Sequence, residues 1–196
     1  VFKIFESFGL LEEGIINQNS REFCPGYFSL GQNQIWRCWR KYGHGNVGIV
    51  EALRISCDVF FYKSGKELGI TKMARWAENF HLGMKTGIDI PYEKWVPFPS
   101  KLTKRPWYAG YTINTAIGQG DVLVTPMQLG VAVSAIANGG TIYAPRVAAG
   151  VVHSTSGETW IEPFPPKVTG TIKASPKTWD LVRRGMWEVV NADNGT

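Results

Sequence analysis

Ile55-Ser56-Cys57-Asp58-Val59-Phe60-Phe61-Tyr62 sets a hydroxyl, a thiol and a carboxylate side by side within an apolar run. Such groups fill a core poorly, because a buried polar group left without a partner costs about 1–3 kcal/mol. The stretch therefore marks a functional corner, or a place where three side chains find partners elsewhere in the chain. Both readings apply. Around it, residues 47–68 read as helix, with a break at Ser56-Cys57-Asp58.

Outward from this corner, residues 2–14 read as a helix with Phe2, Phe5, Leu10 and Leu11 among its apolar positions and Gly14 at its end. Residues 15–46 are irregular, rich in Gly, Asn and aromatics, and hold two of the three cysteines. A further helix is expected over 71–80, stopped near Gly83. Residues 84–118 read as a long Pro/Gly/aromatic loop region with short strands, and loops of that length usually serve function. Thr125-Pro126-Met127-Gln128 is a helix start, with Thr as N-cap, Pro at the first position and Gln three residues after the cap. The small apolar helix that follows, Met127 to Ala137, suits a buried position and ends at Asn138-Gly139-Gly140. A β segment over 141–152, a turn-rich connection over 153–174 and a last helix capped by Ser175-Pro176 complete the chain.

The 196 residues are 44% apolar and 13% aromatic, enough for a packed core and unlike a disordered chain. Net charge is +5, but the charges are scattered. The densest basic patch, Lys101, Lys104 and Arg105, lies in a Pro-rich loop and reads as solvated loop rather than a nucleic-acid site. No stretch approaches the ~20 apolar residues needed to cross a bilayer.

Taken in order, several motifs resemble the transpeptidase domain of class B penicillin-binding proteins, closest to the elongation-type penicillin-binding protein 2 group. Val1-Phe2-Lys3 resembles the tail of Ser-x-x-Lys, followed by Leu11-Glu12-Glu13-Gly14, Cys38-Trp39 and Gly43-His44-Gly45. Ser56-Cys57-Asp58 stands as the second motif, Ser-x-Asn, with Asp in the Asn position as elongation-type members often have it. Thr86-Gly87-Ile88-Asp89-Ile90-Pro91, Trp107-Tyr108-Ala109-Gly110-Tyr111-Thr112, Ile117-Gly118-Gln119-Gly120, Thr125-Pro126-Met127-Gln128 and Asn194-Gly195-Thr196 close the series.

The resemblance implies an α+β fold, a five-stranded antiparallel sheet flanked by helices with an all-helical lobe, of which this chain is the central part. It implies a serine acyl-enzyme that cross-links peptidoglycan stem peptides during cell elongation and is a target of β-lactams. Acyl transfer needs a nucleophile, a base and an oxyanion site. Lys3, one turn after the expected serine, would take its proton, and so must be neutral part of the time. Ser56 would shuttle the proton toward the leaving group, beside Asp58. The nucleophilic serine is expected just before Val1 and the third motif, Lys-Ser/Thr-Gly, beyond Thr196, so the chain alone is expected to be inactive. Lys85-Thr86-Gly87 imitates that motif but follows the second one too closely. Gln119 is a candidate for the cleft, against the alternative of a tight structural turn; Trp107, Tyr108 and Thr112 either border the substrate groove or pack as core. Implied partners are the rod-complex glycosyltransferase and the rod-shape scaffold protein. The implied location is the periplasmic side of the inner membrane, with an anchor outside this chain. Rival readings are a β-lactamase or D,D-carboxypeptidase, and a non-catalytic zinc-stabilised binding module.

Cys24, Cys38, His44 and Cys57 form a second constellation. Thiolates and imidazole are the usual ligands of a closed tetrahedral Zn²⁺ site, although the spacings lack a compact Cys-x-x-Cys. A Cys24–Cys38 disulfide with Cys57 a buried thiol, three unrelated buried cysteines, and His44 as an ordinary Gly-flanked loop residue remain alternatives. The resemblance favours structural zinc, since some elongation-type members bind it through this segment and the middle residue of the second motif. His81 and His153 lack such company and read as surface residues.

Overall fold

In the computed structural model, residues 1–99, 106–155 and 158–196 are described. The elements run α1 (Phe2–Glu12), β1 (Glu22–Cys24), β2 (Tyr27–Leu30), β3 (Gln34–Arg37), β4 (Gly45–Val47), α2 (Ile49–Arg54), α3 (Asp58–Leu68), α4 (Ile70–Asn79), α5 (Ala109–Ala116), α6 (Pro126–Asn138), β5 (Thr141–Tyr143), β6 (Gly150–Thr155), β7 (Glu158–Pro163), β8 (Val168–Thr171) and α7 (Pro176–Asn191). They form two compact units. One comprises Val1–Glu78, Phe98–Val122 and Ala174–Thr196; the other comprises Asn79–Pro97 and Leu123–Lys173. The basic patch at 101, 104 and 105 lies outside the described residues.

The first unit is built around α1. Phe5, Phe8 and Leu10 are fully buried, and the helix packs against α2, α3, α5 and α7. Two glycines set the closeness of helix packing in this unit, Gly9 between α1 and α4 and Gly185 between α7 and α2. A Cβ on Gly9 would meet the Trp76 ring at 2.9 Å, and one on Gly185 would meet Leu53 at 2.7 Å. At the end of α1, Glu12 accepts from the backbone and hydroxyl of Ser175, the N-cap of α7, at 2.9 Å each.

The break in the 47–68 helix is present as a defined turn. Cys57 N–H donates to Ala52 O and Ser56 N–H to Leu53 O, the paired bonds of a Schellman helix end. Ser56 takes the left-handed position of that turn, at φ +49°, where glycine is the usual occupant. A non-glycine residue pays about 1–2 kcal/mol there. Asp58 then opens α3, and its carboxylate suits the positive end of the helix.

Residues 22–47 hold nested antiparallel pairs, β1 with β4 outside and β2 with β3 inside. These strands of three or four residues were too short to show an alternating pattern. In the second unit, α6 starts as its motif foretells: Thr125 N donates to Gln128 Oε1 at 2.8 Å, and Gln128 N returns a bond to Thr125 Oγ1 at 3.2 Å. β5 pairs with β8 and β6 with β7.

Two features differ from the sequence expectations. First, α5 lies within the expected loop region. Its Gly, Tyr, Thr and Ile residues are weak helix formers, and burial of Ile113, Thr115 and Ala116 in a helix packed on α3 stabilises it instead. Second, β7 and β8 lie in the connection over 153–174 expected to be turn-rich. The strands form four two-stranded antiparallel ladders, with one partner per strand among the described residues, in keeping with the central part of an α+β fold. β6 and β7 close on each other as a hairpin, and the β5–β8 register shifts between Ile142 and Tyr143.

Candidate active site and metal centre

Lys3 extends from the first turn of α1 to the turn between α2 and α3. Its Nζ donates to Asp58 Oδ1 at 2.6 Å, to Ser56 Oγ at 2.9 Å and to the Ser56 carbonyl at 2.9 Å. Three acceptors match the three hydrogens of an ammonium. The Lys3 and Asp58 side chains are only 12% and 16% exposed, so solvent screens the pair weakly. The left-handed turn explains how Ser56 offers both its hydroxyl and its carbonyl to one amine. A cavity of about 310 Å³ adjoins the pair, lined by Lys3, Ile4, Leu53, Ser56, Met186 and Val189 among others.

Asp58 is held from its other side as well. Its Oδ2 accepts from the backbone N–H of Trp39 at 3.1 Å, and the Trp39 indole N–H donates to Ile55 O at 2.9 Å. The Trp39 ring meets the His44 ring edge-on at 5.1 Å. Trp39 thus links both ends of the Ser56 turn to the histidine of the second constellation. Sequence reasoning gave it no role, although its place next to Cys38 was a signal.

Cys24, Cys38, His44 and Cys57 come together, with one potential ligand atom from each, all within 4.8 Å of one another. His44 Nδ1 lies 3.6 Å from Cys24 Sγ and 3.5 Å from Cys38 Sγ. A tetrahedral zinc with ordinary Zn–S and Zn–N bonds would separate sulfur from nitrogen by about 3.6 Å. The four residues therefore fit a metal ion, and the three cysteines are free thiols rather than a disulfide. All three are buried. The hydrogen bond with Cys57 holds the Cys38 thiol well below the ordinary range; the same bond, with burial, pushes Cys57 up. Thiolate character is thus favoured at Cys38 at the expense of Cys57. Two close backbone approaches shape the pocket. A Cβ on Gly26 would lie 2.3 Å from Lys41 O, and one on Gly43 would lie 2.0 Å from Cys24 O; both residues have positive φ.

The remaining candidates separate. Gln119 is exposed, in a turn between Gly118 and Gly120, and its N–H donates to Asn114 O at 3.0 Å. A Cβ on Gly118 would lie 2.5 Å from Phe2 Cβ, so this turn packs against the residue preceding Lys3. Thr112 is buried, and its hydroxyl accepts from the Trp107 indole N–H at 2.8 Å. It fastens an aromatic side chain instead of presenting a free hydroxyl to a groove. Lys85-Thr86-Gly87 is taken up in a turn, where Glu93 accepts from Thr86 N and Oγ1 at 2.6 Å and from Gly87 N at 3.1 Å. His153 pairs with Glu162 at 3.0 Å and stacks on Trp160. His81 departs from a surface position: it is half-buried, its Nδ1 is buried without a hydrogen-bond partner among the described residues, and burial lowers its pKa.

Comparison with known proteins follows the same lines. The chain is 34% identical over 200 residues to the peptidoglycan D,D-transpeptidase MrdA of Escherichia coli K12, covering 99% of this chain and 31% of that protein. The complex between penicillin-binding protein PBP2 and MreC from Helicobacter pylori superposes with a TM-score of 0.83 at 32% identity, covering 98% of this chain and 34% of that one. Pseudomonas aeruginosa PBP2 in complex with WCK 5153 superposes with a TM-score of 0.84 at 32% identity, covering all of this chain and 44% of that one. The chain thus spans about a third of the curated relative it matches. The family described as penicillin binding protein transpeptidase domain matches residues 1–196, and the chain belongs to that family.

Proposed function

We propose that this chain is the central part of a peptidoglycan D,D-transpeptidase domain, running from just after the nucleophilic serine to a point before the third motif. Its carrying observation is the contact of Lys3 Nζ with Ser56 Oγ, at 2.9 Å, with Asp58 on the same amine. In this reading the serine one turn before Lys3 attacks the penultimate D-Ala carbonyl of a stem peptide. Its proton passes to the neutral Lys3 amine, the peptide bond breaks, and the Ser56 hydroxyl conducts a proton to the departing D-Ala amine. An amine of a second stem peptide then attacks the ester, restoring the serine and forming the cross-link. A β-lactam acylates the same serine. Gln119, beside the start of α1, would border the substrate cleft, while Thr112 would serve by fixing Trp107.

The Cys₃His geometry supports a structural Zn²⁺ held by Cys24, Cys38, His44 and Cys57. Four protein ligands leave no open position, so the ion would supply a cross-link rather than chemistry. Work on nascent strands requires a glycan polymerase nearby, which supports the rod-complex glycosyltransferase as one partner. The similarity to a PBP2 solved with MreC supports a rod-shape scaffold protein as another. Such partners would put the domain on the periplasmic side of the inner membrane, acting in cell elongation. The test is labelling of the full-length protein with a fluorescent penicillin. A long-lived adduct is expected, and Lys3→Ala should slow its formation by about 10²–10⁴-fold. Rapid hydrolysis of the penicillin would instead point to a β-lactamase or carboxypeptidase, and no adduct at all to a binding module.

A further inference from the structure

Glu6 follows Lys3 by one turn of α1, at the i, i+3 spacing that puts two side chains on one helix face. Their surroundings are opposite. Lys3 has three acceptors, whereas Glu6 is 2% exposed and neither carboxyl oxygen has a hydrogen-bond partner among the described residues. The hollow that holds the carboxyl is shaped by α3, α4 and α5. A Cβ on Gly65 would lie 2.3 Å from Glu6 Oε1, 2.5 Å from Ala116 Cβ and 3.0 Å from Met73 Cε. Gly65, inside a helix where glycine is disfavoured, leaves the room that the carboxyl occupies. Gly65, Met73 and Ala116 do not titrate, so Lys3, on α1 itself, is the charged group acting on Glu6. A carboxylate without hydrogen bonds in such a hollow is far costlier than a carboxylic acid. Burial accordingly drives its pKa well above the ordinary carboxylate range, with the Lys3 ammonium opposing.

We propose that Glu6 is a positioning residue that governs the protonation of Lys3. As a neutral acid it leaves the amine facing one carboxylate, Asp58. Ionised, it adds a second negative charge one helical turn along α1 from Lys3 and holds Lys3 as an ammonium that cannot take the serine's proton. Glu6 would thus impose an alkaline limit on acylation. The inference rests on the acyl-transfer reading of Lys3, and its test separates the two.

In the pH range above the ordinary glutamate value and below the folded one, the native state keeps a proton that the unfolded state has lost. Stability therefore falls as pH rises through that range. Full-length wild type, Glu6→Gln and Glu6→Leu would be compared from pH 5 to pH 9 by thermal unfolding and by the rate of acylation with a fluorescent penicillin. The wild type should lose several degrees of Tm relative to both variants toward pH 9. Its acylation rate should fall at least threefold on the alkaline side, where both variants level off or continue to rise. A Tm gap independent of pH would overturn the proposal, since Glu6 would then not be a buried neutral acid. A widening gap with coincident acylation profiles would also overturn it, leaving Glu6 a core acid without reach to Lys3. Absence of acylation in all three proteins at every pH would refute the acyl-transfer reading itself, and this proposal with it.

Discussion

The helical junction of α1, α2 and α3 and the 22–47 segment hold their functional side chains by different means. At the junction, Phe5, Phe8, Leu10, Phe60 and Phe61 are fully buried, and packing fixes the backbone on which Lys3, Ser56 and Asp58 stand. The 22–47 segment has strands of only three or four residues, and Phe23, Tyr27 and Ile35 are exposed. Apolar burial alone does not explain its order. What it has instead is a convergence of donor atoms, Cys24, Cys38 and His44, on Cys57 of the junction. One region holds by apolar packing, the other gathers four side chains able to ligate a metal, and they share three consecutive residues at Ser56-Cys57-Asp58.

Removing one of those side chains should therefore divide the two regions. Cys57→Ser in the full-length protein is expected to abolish zinc binding by elemental analysis. It should cost more than about 5 kcal/mol, given the size of structural zinc affinities. Far-UV circular dichroism should retain most of its helical signal, while acylation by penicillin falls through the Trp39 link to Asp58. Wholesale loss of helix would break the comparison, because the junction would then depend on the metal too. The converse variant is Phe8→Ala, which cuts into the packed side under Trp179. It should cost about 3–5 kcal/mol by chemical denaturation and leave the zinc content unchanged.

The same contrast governs what the sequence made legible. The 47–68 helix, its break and the α6 start were readable because period, cap and breaker agree locally, and the structure follows them to within a few residues. The strands β1 to β4 were not, since three residues carry no period. Nor was α5, whose weak helix formers are overruled by contacts with α3. Lys3, Ser56 and Asp58 were singled out by motif, and the structure brings them within hydrogen-bonding distance. The roles of Trp39 and Glu6 are tertiary facts. Trp39 acts through a backbone N–H, which every residue but proline possesses, and Glu6 depends on the missing side chain of Gly65, a position 59 residues away in the chain.

Trp39 is where the comparison can be sharpened. Trp39→Phe keeps the backbone bond to Asp58 and an aromatic ring beside His44, and removes the indole bond to Ile55 O. The stability loss should be about 0.5–1.5 kcal/mol, the usual net value of one hydrogen bond. The acylation rate should fall by more than a stability change of that size explains, with zinc content intact. Unchanged acylation would mean that the backbone bond alone aligns the corner.

The smallest expected effect concerns the turn itself. Ser56 occupies a left-handed position that glycine fills without strain, so its presence there sets conformation against chemistry. Ser56→Ala and Ser56→Gly both delete the hydroxyl that Lys3 contacts, and both should be equally slow in acylation. They differ in backbone cost, because alanine keeps the Cβ in the left-handed region and glycine does not. Glycine should be the more stable of the two by about 1 kcal/mol in urea titration, somewhat offset by its larger unfolded-state entropy. A serine retained against that gradient holds its place for the hydroxyl. Alanine proving as stable as glycine would show instead that the turn is unstrained, and that the helix end alone accounts for the residue.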